Sequence, residues 1–225
     1  MKKFSILLFV FLLLSFLSCL AKENSPSALV LTAKGEIILK RGDNNQRIES
    51  GTPLYSGDEL ISKEQSIAAI RFVDSGAIIK LFSNSILTIN TEKKVRKLDK
   101  KIYLEIGDVW SKVKREKGAY QIETPTSVAT VKGTDFFTNV KEDGTTTVVT
   151  LSGIVELRTD IGAKTITKGK TGIAKKNKVP TITDTKPKQI KPEIKKEIEK
   201  GNLNILEIEL EDENGELKKL RIYYK

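Results

Sequence analysis

Carboxylates are the side chains of this sequence best suited to do chemistry, because the other usual groups are scarce. The 225 residues contain no histidine and a single cysteine, Cys19. Histidine is the commonest general base and a common metal ligand, so acid–base work falls to Asp or Glu. The candidates are Asp58, Asp74, Asp108 and Asp135. Three of them adjoin turn-forming residues, where a carboxylate more often caps backbone N–H groups than reacts.

Neither a nucleophile nor a metal site emerges from the rest of the chain. Ser and Lys are abundant but show no spacing diagnostic of a Ser–Lys pair. Acidic residues crowd the segment 209–216, but they do not follow the D-x-[DN]-x-[DN]-G order of a calcium-binding loop. We therefore expect no enzymatic activity, no metal and no cofactor.

The charge balance is basic, with 39 Lys and Arg against 29 Asp and Glu, a net +10. Such a balance suits nucleic acid, anionic lipid or an acidic polymer, and does not choose between them. The sequence has no RNP motif, zinc-finger spacing or helix-turn-helix pattern, so we expect no nucleic-acid partner. The lysines are interpreted as a solvated basic surface.

The N-terminus has the pattern of a secretory signal peptide. Lys2 and Lys3 precede a nearly continuous apolar run from Phe4 to Phe16, with small residues after it. The run is short for a membrane-spanning helix, which needs about 20 apolar residues. We expect residues 1–18 to be removed as a leader, which lowers the net charge from +10 to +8.

Two processing routes compete at the end of this leader. Phe16-Leu17-Ser18-Cys19 resembles a lipobox, in which a lipid is attached to the cysteine before cleavage. The alternative is ordinary cleavage after Ala21. We favour lipidation of Cys19, because the only cysteine lies where a lipobox cysteine must. The aspartate that retains some lipoproteins at the inner membrane does not follow Cys19, so we expect attachment to the periplasmic face of the outer membrane. Residues 19–28 would be the tether. The alternative location is the periplasm, as a soluble protein.

The pattern of a bent strand dominates the middle of the chain. Apolar and polar residues alternate from Val128 to Val131, Gly133 interrupts, and Phe136 and Phe137 resume the apolar run. This pattern predicts a β-strand with a glycine bend or bulge. The aromatic residues of such strands, Trp110 among them, are interpreted as core and not as a ligand platform.

Turn signals recur every 8 to 12 residues across residues 29–175, which predicts an all-β domain. The spacing fits an antiparallel sandwich. Repeated glycine-turn units also fit a short β-solenoid or double-stranded β-helix. The charged run at residues 92–101 is interpreted as an exposed hairpin tip rather than a recognition patch.

A separate appendage is expected at the C-terminus. Residues 176–192 have a linker composition, and residues 193–225 predict a short helix followed by a β-hairpin around Asn214-Gly215. An isolated hairpin is marginally stable in water. We therefore expect this hairpin to pack on the body or on a partner, and it is our candidate docking element.

Several glycine-containing motifs resemble the FecR domain family when they are taken together. The central one is similar to the family's A-x-V-[RK]-G-T-x-F signature, and five others follow the family's order. The resemblance implies that Gly133, Thr134 and Phe136 define the fold and are not catalytic. The matching segments are 129–136, then Gly35-Glu36-Ile37, Gly57-Asp58-Glu59-Leu60, 69–76, Gly107-Asp108-Val109-Trp110 and 153–157.

The FecR resemblance implies an all-β domain facing the periplasm that binds another envelope protein or relays a signal. Family members of the iron-citrate type span the inner membrane and control a cytoplasmic sigma factor. That step is not carried over, because no cytoplasmic domain precedes the leader. The alternative function is a structural protein that binds peptidoglycan or another glycan, and a third is a secreted, unlipidated factor.

Overall fold

A computed structural model describes residues 25–94, 97–114, 118–201, 204–211 and 217–224 of the chain. Within these ranges the chain is almost entirely strand, with one short α-helix near its C-terminal end. The prediction of an all-β fold with a short C-terminal helix is therefore confirmed. The strands are β1 Ala28–Lys34, β2 Ile37–Arg41, β3 Asn44–Arg47, β4 Pro53–Leu54, β5 Asp58–Ser62, β6 Ile67–Phe72, β7 Ile78–Leu81, β8 Ser85–Lys94, β9 Lys97–Lys112, β10 Tyr120–Glu123, β11 Val128–Val131, β12 Asp135–Val140, β13 Thr146–Ser152, β14 Ile154–Thr159, β15 Gly162–Thr167, β16 Lys170–Ala174, β17 Thr181–Asp184, β18 Asn204–Glu211 and β19 Leu217–Tyr224; the helix is α1 Pro192–Gly201.

The first 17 strands pair into two layers, which we call sheet A and sheet B. Sheet A runs in the order β4, β1, β6, β7, β9, β12, β13, β16, β17. Sheet B runs in the order β3, β2, β5, β8, β9, β10, β11, β14, β15. Among the described residues every pairing is antiparallel except that of β9 with β10. The inner faces of both layers contribute to one hydrophobic core, so the body is a sandwich.

Strand β9 belongs to both sheets. Its first part, up to Ile106, pairs with β8 in sheet B, and its last part, from Gly107, pairs with β12 in sheet A. The strand bends at Gly107, where φ is +102°. A Cβ atom at that position would lie 2.1 Å from Ser85 Oγ and 2.5 Å from Ser85 Cα. Two strands therefore touch where one passes between layers, and only glycine leaves the room.

The other passages between the two sheets also contain a residue with positive φ. Wherever the described chain leaves one layer for the other in a short turn, a residue with positive φ lies in that turn, and most of these residues are glycines. Five of the six motif glycines are among them, and Gly76 instead lies in the β6–β7 hairpin of sheet A, so most of the motif spacing reports the alternation between layers. The residues are Gly35, Gly51, Gly57, Gln65, Asn84, Gly107, Gly133, Gly153 and Gly169.

Three aromatic rings fill the centre of the sandwich. Tyr120 of sheet B lies edge-on to Phe72 and to Phe136 of sheet A, with both pairs of ring centroids 6.3 Å apart. Edge-to-face pairs of this kind add about 0.5–1.5 kcal/mol each beyond their buried area. The hydroxyl of Tyr120 donates to Ser111 Oγ at 2.9 Å, so its polar end is satisfied inside the core.

The C-terminal part of the described chain adds to sheet A and then covers it. Within residues 176–192, Thr181–Asp184 pairs with β16, and Lys170 Nζ lies 2.6 Å from Asp184 Oδ1. Helix α1 then packs on the outer face of sheet A. It is too short and too polar to span a bilayer, and no other helix among the described residues does so.

Replacing Gly107 by alanine should destabilise the body far more than an ordinary turn substitution. The new Cβ meets Ser85 in a left-handed backbone, so we expect a loss of about 4 kcal/mol in the free energy of unfolding. Gly42→Ala is the matched control, since Gly42 also has positive φ, at +57°, but has nothing within 4 Å of the added Cβ. We expect that variant to lose about 1 kcal/mol. Equal losses in urea unfolding would contradict the close approach.

Candidate functional site

The central motif lies where the chain passes from sheet B to sheet A. Gly133, with φ +73°, stands between β11 and β12. The hydroxyl of Thr134 donates to the carbonyl of Ile154 at 2.9 Å, and Thr134 is 1% exposed. Phe136 is fully buried in the aromatic centre. These positions suit a role in the fold, and that role stays a prediction.

Two threonine hydroxyls in the same layer are buried without a hydrogen-bond partner. Thr138 on β12 and Thr150 on β13 are fully buried, and neither Oγ1 atom has a hydrogen-bond partner among the described residues. Burying a hydroxyl without a hydrogen bond costs about 1–3 kcal/mol. Thr134 and Thr138 therefore differ in hydrogen bonding, although both are buried and lie four residues apart: the hydroxyl of Thr134 has an acceptor, and that of Thr138 has no partner among the described residues.

Asp58 is bound in a structural ion pair. Its carboxylate accepts the Nε–H and the Nη2–H of Arg41, both at 2.7 Å, and the backbone N–H of Tyr55 at 2.8 Å. The hydrogen bond to Asp58 raises the pKa of Arg41, and the guanidinium also lies 4.5 Å from the centre of the Tyr55 ring. A carboxylate held by three donors secures a turn and is poorly placed to act as a base.

The other three candidate carboxylates also have structural partners. Asp74 receives a hydrogen bond from the buried Lys100 at 2.9 Å. Asp135 accepts the indole N–H of Trp110. Asp108 accepts the side-chain amide of Asn139 at 2.7 Å and the ammonium of Lys191 at 3.1 Å. The four carboxylates have four different sets of partners, and the described residues hold no group of three or more ligands suited to a metal ion.

The outer face of sheet A carries a second apolar cluster, which we call the helix patch. Four sheet residues, Trp110 in the middle, are buried beneath Ile190 and helix α1. Ile194 and Ile198 lie four residues apart and so share one face of the helix. Pro192 begins the helix, Glu193 lies in its first turn and Lys200 in its last, as the helix dipole favours. The sheet residues of the patch are Phe82, Trp110, Phe137 and Val149.

Polar contacts hold the helix at the edges of this patch. Lys80 Nζ donates to the carbonyl of Glu197 at 2.6 Å and lies 3.7 Å from the Glu197 carboxylate. It also lies 5.7 Å from the centre of the Trp110 ring. Lys191, just before the helix, reaches Asp108. The helix is therefore attached to sheet A through apolar and ionic contacts together.

The surroundings of Lys80 and Glu197 shift the pKa values of both groups downward, for different reasons. Burial lowers the pKa of Lys80, and the nearby Glu197 carboxylate only partly opposes that effect. Burial raises the pKa of Glu197, but the hydrogen bond from Lys200 and the charge of Lys80 outweigh it, so the net shift is downward. Burial therefore disfavours the charged form of Lys80, whereas the neighbouring lysines favour the charged form of Glu197.

The C-terminal hairpin predicted from the sequence forms a sheet of its own. β18 and β19 pair antiparallel from Asn204↔Tyr224 to Glu211↔Leu217. Among the residues described above, neither strand joins sheet A or sheet B. The turn at Asn214-Gly215, the acidic segment considered for calcium and the lipidation candidate Cys19 lie outside the described residues or their described side chains.

An open groove of about 600 Å³ lies at the end of the body where β9 bends. Two lysines and three carboxylates line it, so its charges nearly balance. Asp143, one of these carboxylates, accepts the backbone N–H and the hydroxyl of Thr145, and these hydrogen bonds lower its pKa. The remaining lining is mixed. The residues are Tyr103, Glu105, Ile106, Pro125, Thr126, Lys141, Glu142, Asp143, Gly144 and Lys176.

Comparison with known proteins bears on the body of the chain. Residues 58–156 match the family model described as FecR protein. Over these residues the chain is similar to a FecR domain. This confirms the resemblance drawn from the glycine motifs, since Gly57 precedes the match by one residue and Gly133 and Gly153 lie inside it. No curated protein matches the sequence.

Two solved structures are similar to part of the chain. Both are crystal structures, at 2.50 and 1.65 Å resolution, of a protein from Parabacteroides distasonis ATCC 8503 described provisionally as an anti-sigma factor. Their sequence identities to this chain are 15% and 17%, each with a TM-score of 0.48 over 56% of this chain. The aligned part spans 59% of the length of those chains.

The FecR match leaves out the features at the C-terminus. It runs from β5 into β14 and so includes β9, Trp110 and the Gly133 bend. Helix α1 and the hairpin β18–β19 come after it. No local sequence pattern shows that Trp110 packs under the helix or that Lys80 contacts Glu197, because Trp110 and Lys80 lie on distant strands.

A comparison of Thr134 with Thr138 tests the hydrogen bond in the central motif. Thr134→Val should lose about 1–2 kcal/mol in the free energy of unfolding, because it leaves the Ile154 carbonyl without its donor. Thr138→Val should leave the free energy of unfolding unchanged or raise it by about 1 kcal/mol. The substitution replaces an unpaired buried hydroxyl by a methyl group of similar size. Chemical unfolding of the two variants and the parent measures both. Equal losses of unfolding free energy in both variants would contradict the hydrogen bond from Thr134 to Ile154.

The single tryptophan reports on helix α1 directly. Trp110 is fully buried under the helix, so Ile194→Asp should shift its fluorescence to longer wavelength while the far-UV spectrum stays that of a β protein. Losing the buried isoleucine removes about 1.5–3 kcal/mol of docking free energy. Ile161→Asp, at a residue 56% exposed, is the control and should leave the emission unchanged. An unshifted spectrum for Ile194→Asp would mean that the helix does not cover Trp110.

Proposed function

We propose that this chain is an exported, non-enzymatic FecR-domain protein of the bacterial cell envelope that binds another envelope protein and relays a signal through it. The C-terminal hairpin is its docking element. The observation that carries the proposal is the arrangement of the C-terminus: a helix attached firmly to the FecR body is followed by a hairpin that pairs only with itself among the described residues.

The non-enzymatic part of the proposal rests on how the reactive groups are used. A general base must reach a substrate proton, and a nucleophile needs a base beside it. Asp58, Asp74, Asp108 and Asp135 are each engaged by donors that stabilise the sandwich. With no histidine in the chain, these residues were the best catalytic candidates, and their partners suit structure better than chemistry.

The hairpin has the backbone and the charge pattern of a strand-adding element. Its register places Glu207 opposite Arg221 and Glu209 opposite Lys219, and opposite charges in that position favour pairing. A two-stranded hairpin is still marginal by itself and offers free N–H and C=O groups at both edges. A partner that contributes a strand would complete it, and such recognition by strand addition is common.

The proposed location rests on the leader. Lipidation of Cys19 would join the chain to the periplasmic face of the outer membrane, and the two or more acyl chains of a lipoprotein hold a protein stably. Cleavage after Ala21 would instead leave a soluble periplasmic protein. The FecR domain belongs on the periplasmic side in either case.

Cross-linking in cells followed by purification tests the proposed partner. The full chain should yield one dominant envelope protein, and a chain ending at Gly201, which keeps helix α1, should lose it by at least tenfold. The Trp110 fluorescence of the shortened chain should equal that of the parent, which shows that the body is intact. Retention of the partner by the shortened chain would place the docking site on the body.

Two further readouts separate the parts of this proposal. Recovery of muropeptides without a stoichiometric protein would favour the glycan-binding alternative. The mass of the N-terminal peptide decides the anchor: a diacylglyceryl-modified Cys19 supports lipidation, and an unmodified Lys22 at the N-terminus overturns it without affecting the docking proposal.

A further inference from the structure

The outer face of sheet B carries four isoleucines in register, which we call the isoleucine row. Ile38 of β2 lies opposite Ile61 of β5, Ile61 lies opposite Ile86 of β8, and Ile86 lies opposite Ile106 of β9. Leu60, next to Ile61, is fully buried in the core, so the alternation along the strand directs the row away from the core. All four isoleucines are partly exposed. The row crosses four neighbouring strands and is therefore about 14 Å long.

A comparable apolar row on sheet A is covered. Trp110, Phe137 and Val149 lie opposite one another on β9, β12 and β13, and the isoleucines of helix α1 pack over them. Sheet B has no such cover among the described residues. The isoleucine row belongs to neither of their two apolar clusters, and helix α1, the one α-helix they contain, packs on the other sheet. Apolar side chains grouped in one surface patch indicate an interaction site more than scattered ones do.

The charges on the two sides of the isoleucine row cancel. Glu36 and Lys40 lie two residues before and after the row along β2, and Glu59 and Lys63 do the same along β5. Lys40 Nζ lies 3.0 Å from Glu59 Oε1, and the backbone N–H of Lys63 donates to the carbonyl of Glu36 at 3.0 Å, so a cation and an anion adjoin on each side. The whole chain carries +10, so this neutral surface differs from the average. An anionic polymer or membrane gains little from it.

The two ends of the isoleucine row carry opposite charges. Arg47 of β3 lies opposite Ile38 at one end, and Glu105 directly precedes Ile106 at the other. Both charged side chains are exposed, and Glu105 lines the open groove at the bend of β9. A second copy with its row in the opposite direction would bring Arg47 of each copy towards Glu105 of the other. The face is therefore complementary to itself, as the contact of a two-fold dimer must be.

We propose that two copies of this chain pack face to face through the outer faces of sheet B, with their isoleucine rows antiparallel. A two-fold axis between β5 and β8 then places β2 over β9, and β3 over β10, of the second copy. The six overlapping strands from β3 to β10 make a face about 29 Å wide and about 20 Å long. Two such faces bury roughly 1,200 Å² in total, at the lower end of the range for specific interfaces. We therefore expect a reversible dimer with a micromolar dissociation constant.

Sedimentation velocity tests the dimer with the chain that begins at Lys22, over concentrations from about 1 to 200 µM. The parent should show a monomer–dimer equilibrium. Ile61→Asp should weaken it by roughly a hundredfold or more, because the dimer would bury an unpaired carboxylate. Unchanged Trp110 fluorescence would show that this variant is folded. Ile154→Asp is the matched control: Ile154 is 55% exposed on the same sheet but lies on β14, outside the overlap, so its replacement should leave the affinity unchanged.

Charge reversal tests the antiparallel direction of the two rows. Arg47→Glu and Glu105→Arg should each raise the dissociation constant by about tenfold, because each creates two like-charge contacts in a symmetric dimer. The double variant restores opposite charges and should return to within about threefold of the parent. Arg158→Glu, at an exposed residue of β14 outside the overlap, is the control and should have no effect. Losses that add in the double variant would contradict the antiparallel arrangement.

Two outcomes would overturn the proposed dimer. One is a parent chain that stays monomeric throughout the concentration range. The other is a dimer that persists in Ile61→Asp but is lost in a chain ending at Gly201, since the contact would then lie on the C-terminal hairpin. Recovery of the envelope partner from cells is measured separately. Self-association that is absent while the partner is retained would therefore disprove the dimer and leave the proposed function standing.

Discussion

The contact between Gly107 and Ser85 is the constraint on which the architecture depends. A single strand, β9, supplies the middle of both sheets, and it passes between them where no side chain fits. Because sheets A and B share this strand, neither layer can form its full set of pairings alone. The bend also sets the direction of the rest of β9: three residues later Trp110 points away from the sandwich core and into the helix patch. The body and the attachment of α1 are therefore consequences of one backbone passage.

Local patterns in the sequence predict the fold class well, for a physical reason. Each short turn between layers contains a residue with positive φ, which glycine adopts at the least cost, so most of the recurring glycines mark changes of sheet; Gly42, Gly76 and Gly144 mark hairpins within one sheet instead. The pattern does not reveal that β9 continues through Gly107, because a glycine there resembles a strand end. Nor does it show that β8 and β9 extend through the charged run, since exposed strands and loops share that composition. Lys80 and Glu197, 117 residues apart, meet only through the tertiary fold.

The helix patch combines apolar contacts with an ionic contact at its edge, and the two contribute differently to the attachment of helix α1. Three isoleucines cover Trp110 and its neighbours, and the area they bury favours docking at any pH. The ionic contact is different, since Lys80 is desolvated and its pKa is lowered as a result. Replacing Glu197 would leave the desolvated Lys80 without its nearby carboxylate, whereas replacing Lys80 would leave Glu197 partly exposed and still bonded to Lys200. The Lys80–Glu197 contact thus fixes where the helix lies more than how tightly it binds.

The placement of the two ends of the folded body gives the proposed relay a geometric basis. At the start of β1, Ser27 is hydrogen bonded to Thr91 of β8, and helix α1 runs across sheet A towards β1, where the charge of Lys34 lies close enough to influence Glu197. Lys34 is at the end of β1 opposite Ser27, so the attachment at the N-terminus and the exit toward the hairpin are separated by the length of that strand. A body with two packed layers transmits displacement between such points because close-packed interiors are stiff. A displacement of the body at Ser27 would therefore reach helix α1 as a movement of the whole sandwich, without requiring any strand to rearrange.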